Sequence, residues 1–424
     1  MDGAGRRDSG GGRVARARPL SGPTAARWQL ALLALTQVLV LALWFSASAV
    51  VPTLLLEWGL SRQSGIWLTA AVQVGFAAGA IVSAALNLAD RIRPQVLIGA
   101  AALLGALATV ALVLWARSAA VAIPLRFLTG FALAGVYPTG MKIVVSWFPG
   151  SRGTALGVML GALTLGSSLP QLLSAIGPPA WTGVLAVAAL LATLGAAISV
   201  LFVRTGPNMR PSPPLHPRYI VAMFADRRQR LVSLGYFGHM WELYALWAWL
   251  PSYIAAAYAA WSPGADTRWA VGATAFAVIG PAGAIGCVIG GHLADRHGRA
   301  LVAMLAMLLS AGCGLVSVIV FDAYPAVLVA LLLVWGAAVI ADSAQFSAAL
   351  SEVADQRYVG TALTAQTAIG FLLTVLTIQA LPLLADAVGW RTAMPLLAAG
   401  PLLGAIAMAR LRPLLASHRT VAPS

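Results

Sequence analysis

Leu88-Ala89-Asp90-Arg91 recurs as Leu293-Ala294-Asp295-Arg296, 205 residues further along, and Gly153-Thr154-Ala155-Leu156 recurs as Gly360-Thr361-Ala362-Leu363 at an offset of 207. One such match means little in a chain rich in Ala and Leu. Two at nearly the same offset divide the chain into halves that repeat one plan.

Composition says what the plan is. Of 424 residues, 60% are hydrophobic and 9% charged, and the mean hydropathy is +0.86, whereas soluble domains carry about 25% charged residues. The chain reads as a membrane protein, so its length is divided by helices of about 20 residues, enough to cross a hydrocarbon core about 30 Å thick. Apolar runs fall at 29–51, 66–88, 95–115, 120–143, 153–176 and 181–204, then at 231–257, 269–293, 301–321, 325–349, 359–384 and 390–410. The expected architecture is all-α: twelve transmembrane helices in two six-helix pseudo-repeats, 29–204 and 231–410. Between them, 205–230 holds Pro207, Pro211, Pro213, Pro214 and Pro217 among several arginines, which excludes a spanning helix. This is the linker, in which Tyr219 to Phe224 reads as a short interfacial helix or a plain loop. Residues 1–28 and 411–424 are expected to be tails, the first disordered. Arg6 and Arg7 resemble a twin-arginine signal only superficially, because the run that follows exceeds the roughly 7 to 15 apolar residues of a signal peptide.

The net charge of +14 suggests nucleic acid at first sight. However, 26 of the 27 basic residues are arginines scattered between apolar runs. Twenty-one of them fall in the tails, the linker and the loops on its side, and four (Arg62, Arg117, Arg268 and Arg391) on the other. That bias places both termini in the cytoplasm and the protein in the plasma (cell inner) membrane, with no nucleic-acid partner. Cys287 and Cys313 lie inside apolar runs and form neither a disulfide framework nor a zinc site. No metal or cofactor is expected.

An ionisable group inside a span costs at least about 2.5 to 3.5 kcal/mol and is functional by default. Glu242 lies near the middle of the seventh run, in Gly238-His239-Met240-Trp241-Glu242-Leu243-Tyr244, with His239 on the same helix face. A carboxyl in apolar surroundings beside an imidazole that titrates near neutrality suits proton carriage. Glu242 is the expected coupling carboxyl, with His239 and Asp342 beside it in that role; interhelical hydrogen bonding is the alternative. Asp342 also reads as a ligand for a cationic substrate or a cap on a helix break. Arg126 reads as a substrate contact or a partner of Glu242, with a snorkelling Arg as the alternative. Lys142, the one lysine, reads as snorkelling or bound to phospholipid.

Further substrate contacts are expected from Tyr137, Gln37, Gln171, Trp241 and Gln345. Gln73, Gln366, Gln379, Trp44, Phe45, Tyr244 and Trp247 are ambiguous between cavity and helix packing. Pro138 lets the fourth span bend where a cavity can serve the freed carbonyl. Gly75 with Gly79, Gly157 with Gly161 and Gly286 with Gly290 form G-x-x-x-G pairs that let helices approach closely.

The six-linker-six plan and Gly291-His292-Leu293-Ala294-Asp295-Arg296-His297-Gly298-Arg299 resemble the major facilitator superfamily, whose loop signature is G-x-x-x-D-R-x-G-R. The first-half loop departs from it at Leu86, Arg93 and Pro94, while Arg126 to Gly130 resembles the family's R-x-x-x-G motif. The resemblance implies a secondary transporter, working as a monomer on a small-molecule substrate. Asp90, Arg91, Gly291, Asp295, Arg296, Gly298 and Arg299 are then expected to form a conformational latch, the carboxylates holding neighbouring helix N-termini; solvated loop charge is the alternative.

The leading function is proton-coupled transport of a small solute across the bilayer, with uptake of an anionic metabolite as its specific form. Proton-antiport export is an alternative, weakened because the fifth span lacks the family's G-P-x-x-G-G motif. A non-transporting receptor or membrane-embedded enzyme is the alternative from another class; catalysis is not expected, for want of a dense set of intramembrane catalytic groups. No Walker-type phosphate loop occurs, which excludes ATP-driven transport by this chain.

Overall fold

The computed structural model describes residues 22–176, 181–211 and 215–419, and every regular element among them is helical. The first half comprises α1 (Pro23–Leu41), α2 (Val51–Glu57), α3 (Arg62–Ala85), α4 (Leu88–Arg91), α5 (Pro94–Trp115), α6 (Ala119–Leu133), α7 (Tyr137–Trp147), α8 (Arg152–Ala175) and α9 (Trp181–Phe202). After the linker helix α10 (Pro217–Ala225) come α11 (Arg227–Trp261), α12 (Arg268–Ala277), α13 (Gly283–His297), α14 (Arg299–Val320), α15 (Pro325–Ala341), α16 (Ser343–Val353), α17 (Val359–Ala393) and α18 (Ala399–Arg419).

Local chemistry sets these boundaries. Proline opens α1, α5, α7 and α15 within the first two positions, where its missing N–H costs no hydrogen bond. Ser61 caps α3 by accepting the N–H of Ser64, and Asp226 caps α11 by accepting those of Arg228 and Gln229. Gly389, at φ 80°, divides α17 from within, a conformation favouring glycine.

Ten helical segments among the described residues are long and apolar enough to cross a membrane. The expected twelve exceed these by two for physical reasons. The last segment, 359–415, contains the kink at Gly389, and α11, 35 residues long, is diluted by its Trp, Tyr, Ser and Gly residues together with Glu242 and His239.

Several boundaries differ from expectation. Residues 23–28, expected in the disordered tail, form the first turns of α1 because Pro23 starts a helix there; the rest of that tail, 1–21, lies outside the described residues. The first span is not one helix: α1 stops at Leu41, residues 42–47 form turns, and helix resumes at Ser48. The linker's central stretch is helical, as α10, and α11 begins at Arg227, inside the expected linker. At the other end, α18 continues to Arg419, past the expected start of a tail at 411, whereas 420–424 lie outside the described residues.

The fourth span is broken between α6 and α7, the eighth by a π-turn at Val278–Ala282 around Pro281, and the tenth at Asp342. The halves meet along two seams, α8 against α12 and α13, and α3 against α17. At the first seam a Cβ on Gly157 would lie 2.6 Å from the carbonyl oxygen of Cys287, so glycine is what permits that approach. Gly75 and Gly79 instead face the backbone of Phe127 and Phe131, and Gly286 and Gly290 that of Ala337 and Ala341. Those are equivalent contacts inside each half, between its second and fourth spans.

The linker is docked rather than slack. Tyr219 stacks on Tyr358 at 4.5 Å between ring centroids, its hydroxyl accepts the N–H of Asp355, and the N–H of His216 reaches the Thr361 hydroxyl at 2.9 Å.

Candidate functional site

Glu242 is buried within the second half. Its Oε1 accepts the indole N–H of Trp335 at 2.7 Å and its Oε2 the hydroxyl of Ser310 at 2.8 Å, joining α11 to α15 and α14. One turn earlier on α11, His239 Nδ1 stands 2.8 Å from Asp342 Oδ1, both side chains buried. That contact has ion-pair length without aligned hydrogen-bond geometry, since His239 Nδ1 and Nε2 and Asp342 Oδ1 carry no hydrogen bond. Asp342 both ends α15 and starts α16. Tyr236 and Phe346 flank the imidazole, at 6.2 and 5.6 Å between ring centroids. Gln345, also buried, accepts from Arg299 at 3.5 Å, and Arg299 pairs with Glu352 at 2.6 Å.

Arg126 does not meet Glu242. Its guanidinium, fully buried, donates to the carbonyls of Leu43 (3.2 Å) and Trp44 (2.6 Å) and to the Ser46 hydroxyl (3.3 Å). Those carbonyls belong to the turns that interrupt the first span, so the cation serves backbone groups freed by the break. Every one of these partners is neutral. Gln37, on α1, donates to the carbonyl of Val136 at 3.4 Å, at the break in the fourth span, and half-buried Tyr137 opens α7 just beyond.

The turns held by Arg126 point Trp44 and Phe45 at the second half. Trp44 lies 5.5 Å from Tyr244 and 5.7 Å from Phe371, Phe45 lies 6.1 Å from Trp247, and Phe76 meets Phe371 at 4.3 Å. This aromatic layer spans the seam. Within it the indole N–H groups of Trp44 and Trp247 carry no hydrogen bond, nor does the amide of buried Gln73 on α3. Phe76 and Phe371 were not singled out by sequence: on spans this apolar, nothing distinguishes a seam phenylalanine from a lipid-facing one.

Other expected contacts lie elsewhere. Trp241 donates to the carbonyl of Leu396 at 3.4 Å, within the second half. Gln171 is buried near the far end of α8, its backbone against Gly272. Gln379 pairs with Gln63 across the halves at 2.8 Å, and Arg62, beside Gln63, pairs with Asp386. The last pair escaped sequence reading because each residue stands at a span end, where charge is ordinary.

At the linker end, Asp295 Oδ2 accepts the N–H of Thr154 at 3.1 Å and faces its hydroxyl at 3.3 Å, a carboxylate of the second half on the first turn of α8. Gly153 makes room for it, and Gly291 lies against the Gly153 backbone. Asp90 is paired with Lys142, so that lysine has a protein carboxylate as partner where snorkelling or a phospholipid was expected. Gly298, at φ 89°, turns α13 into α14, and Arg91 and Arg296 are exposed.

A profile of the Major Facilitator Superfamily matches residues 33–378. The chain is 26% identical over 234 residues to a protein named probable sulfoacetate transporter SauU of Cupriavidus necator, covering 49% of this chain and 51% of that one. It is 32% identical over 154 residues to a gallate transporter of Pseudomonas putida, covering 32% and 34%. The matches thus span about half the length of the first relative and about a third of the second. A crystal structure of the nucleoside transporter NupG superposes with a TM-score of 0.66 over 91% of this chain and 99% of that one, at 12% identity, a likeness of fold.

Proposed function

Because this chain belongs to the Major Facilitator Superfamily, it is a multi-pass membrane protein of a transporter family, and we propose that it carries a small organic anion together with protons, by alternating access between its two halves. Twelve crossings follow if the segment 359–415 is divided at Gly389 and α11 is counted with the ten apolar segments. Both termini then face the cytoplasm, across the plasma (cell inner) membrane, and the chain acts as a monomer.

The observation that carries this reading is Arg126. A buried cation whose hydrogen-bond partners are two carbonyls and a hydroxyl retains an uncompensated charge, and burying charge in that way is costly. An anion entering the seam removes that cost. The spare N–H groups of Trp44, Trp247 and Gln73 offer further donors, and two relatives are named for anions, sulfoacetate and gallate. Gln37 and Tyr137, beside the break in the fourth span, complete the anion's surroundings in this reading. Proton carriage falls to a buried titratable group of the second half, either the His239–Asp342 pair or Glu242.

The test is proton movement in liposomes containing the purified protein and a pH-sensitive dye, with organic anions, sugars, amino acids and cationic drugs added in turn. Proton flux on adding an anion, lost in Arg126→Gln, is the expected result. Flux triggered by cationic drugs alone overturns the choice of substrate class, and anion entry without protons makes the protein a facilitator.

A further inference from the structure

We propose that the coupling proton is carried by the His239–Asp342 pair at the break in the tenth span, and that Glu242 is a fixed brace which takes no part in coupling. This rests on the anion-transport reading above.

The repeat supplies the first argument. Shifted by its offset of 205 to 207 residues, Val136 falls on 341–343, so the break at Val136 and the break at Asp342 are equivalent places. In the first half that break is tied to the half's first helix by a neutral hydrogen bond, Gln37 to the Val136 carbonyl. In the second half the break is tied to the corresponding helix about one turn before the position to which Gln37 shifts, and between two titratable side chains, His239 of α11 and Asp342. One half therefore carries a fixed tie and the other a tie that a proton can change.

Glu242 differs from the pair in that each of its oxygens is already engaged by a donor, Trp335 or Ser310, and both donors belong to its own half. The pair retains an unused atom, His239 Nε2. The titratable or charged groups around it are Tyr236 and Glu242 on α11, Cys287 on α13, and Arg299 through Gln345 from α14. Tyr137, from the first half, lies within electrostatic reach of Tyr236 and Cys287.

Charge arithmetic then supplies the coupling rule. With imidazole neutral and the Glu242 carboxyl protonated in every state, the empty carrier buries Arg126 as a cation and Asp342 as an anion, which cancel. A singly charged anion alone leaves one net negative charge inside, and a proton alone leaves one net positive charge. Anion and proton together cancel again. Net buried charge is the expensive condition, so the halves rock when both sites are empty or both are filled. The proton is taken onto the pair from one face and released to the other, one per singly charged anion, and no net charge crosses.

The test uses the full chain in liposomes with labelled gallate, a single-charge probe at neutral pH. In the wild type, a gradient of about one pH unit drives accumulation of up to about tenfold for one coupled proton, and an imposed potassium diffusion potential leaves that accumulation unchanged. Asp342→Asn is expected to keep gallate exchange at equal pH, because its loaded form is neutral, and to lose accumulation, because its empty form is not. Glu242→Gln is expected to keep the accumulation ratio. Three outcomes overturn the proposal: potential-driven gallate uptake by the wild type, wild-type accumulation in Asp342→Asn, or exchange without accumulation in Glu242→Gln. The first requires no variant to fold. If the wild type exchanges neither gallate nor any other organic anion, the transport reading fails instead, and the exchange arm alone reveals it.

Discussion

Asp295, in the second half, accepts the backbone N–H of Thr154 in the first turn of α8, in the first half, at 3.1 Å. A carboxylate on a helix N-terminus contributes about 1 to 2 kcal/mol, and here it binds the halves together at the linker end. Asp295→Ala is expected to favour separation of α8 from α13 by roughly tenfold. Cys287, buried on α13 where Gly157 meets its carbonyl, reports it. In a Cys313→Ser background, maleimide labelling of Cys287 should accelerate by a similar factor, and an unchanged rate refutes the latch.

Gly157→Val acts on the same seam from the opposite direction. Its added carbons meet backbone, which cannot move aside as a flexible side chain does, and overpacking of this kind costs about 1 to 3 kcal/mol. Membrane insertion with most gallate exchange lost is expected, read by comparing protein yield in the membrane with exchange rate. Near-normal exchange would mean that the two helices do not need this approach.

Trp335→Phe removes one of the two donors to Glu242 while preserving a ring. Leaving one oxygen of a buried carboxyl unserved costs about 1 to 3 kcal/mol, so the thermal transition in detergent should fall by several degrees while the pH-driven accumulation ratio holds. Loss of accumulation at normal thermal stability would contradict a bracing role.

Arg62 and Asp386 pair across the halves at the end opposite the linker, each about half exposed. Exposed pairs contribute about 0 to 1 kcal/mol, so Asp386→Asn should alter transport rates less than Asp295→Ala does. A larger effect at Asp386 would show that pairing is reinforced by the Gln63 to Gln379 bond beside it.

Asp266, in the loop before α12, is held down at about 2 by the Arg268 guanidinium. Its depressed value leaves it ionised at every pH above that, so any contribution it makes disappears only as pH falls towards 2. Asp266→Asn is therefore expected to leave the pH profile of transport between 5 and 8 unaltered, a range about that over which imidazole changes charge. A displaced profile would place a coupling group in the loop.

Much of this architecture was readable from apolar runs and from the repeat, because a bilayer permits few alternatives to a helix of about 20 residues. The intramembrane charges were readable for the same reason: Arg126, His239, Glu242 and Asp342 stand out against Leu and Ala. Their partners were not. Glu242 and His239 share a helix face, yet one turns to Trp335 and the other to Asp342, a choice made by helices distant in sequence. The break in the first span left no proline or glycine among residues 42–47. It depends on Arg126, 83 residues away from Leu43, and no local pattern records that.

That separation imposes an order of assembly. When residues 23–57 leave the ribosome and enter the bilayer, the guanidinium that serves the Trp44 carbonyl has not been synthesised, and the Leu43 carbonyl has the Ser46 hydroxyl in place of it. The Trp44 carbonyl is left to water or the insertion machinery until the segment bearing Arg126 arrives beside it. The first span is accordingly completed by the fourth, and a chain truncated before residue 126 should be retained as an unfinished client of the membrane's quality control.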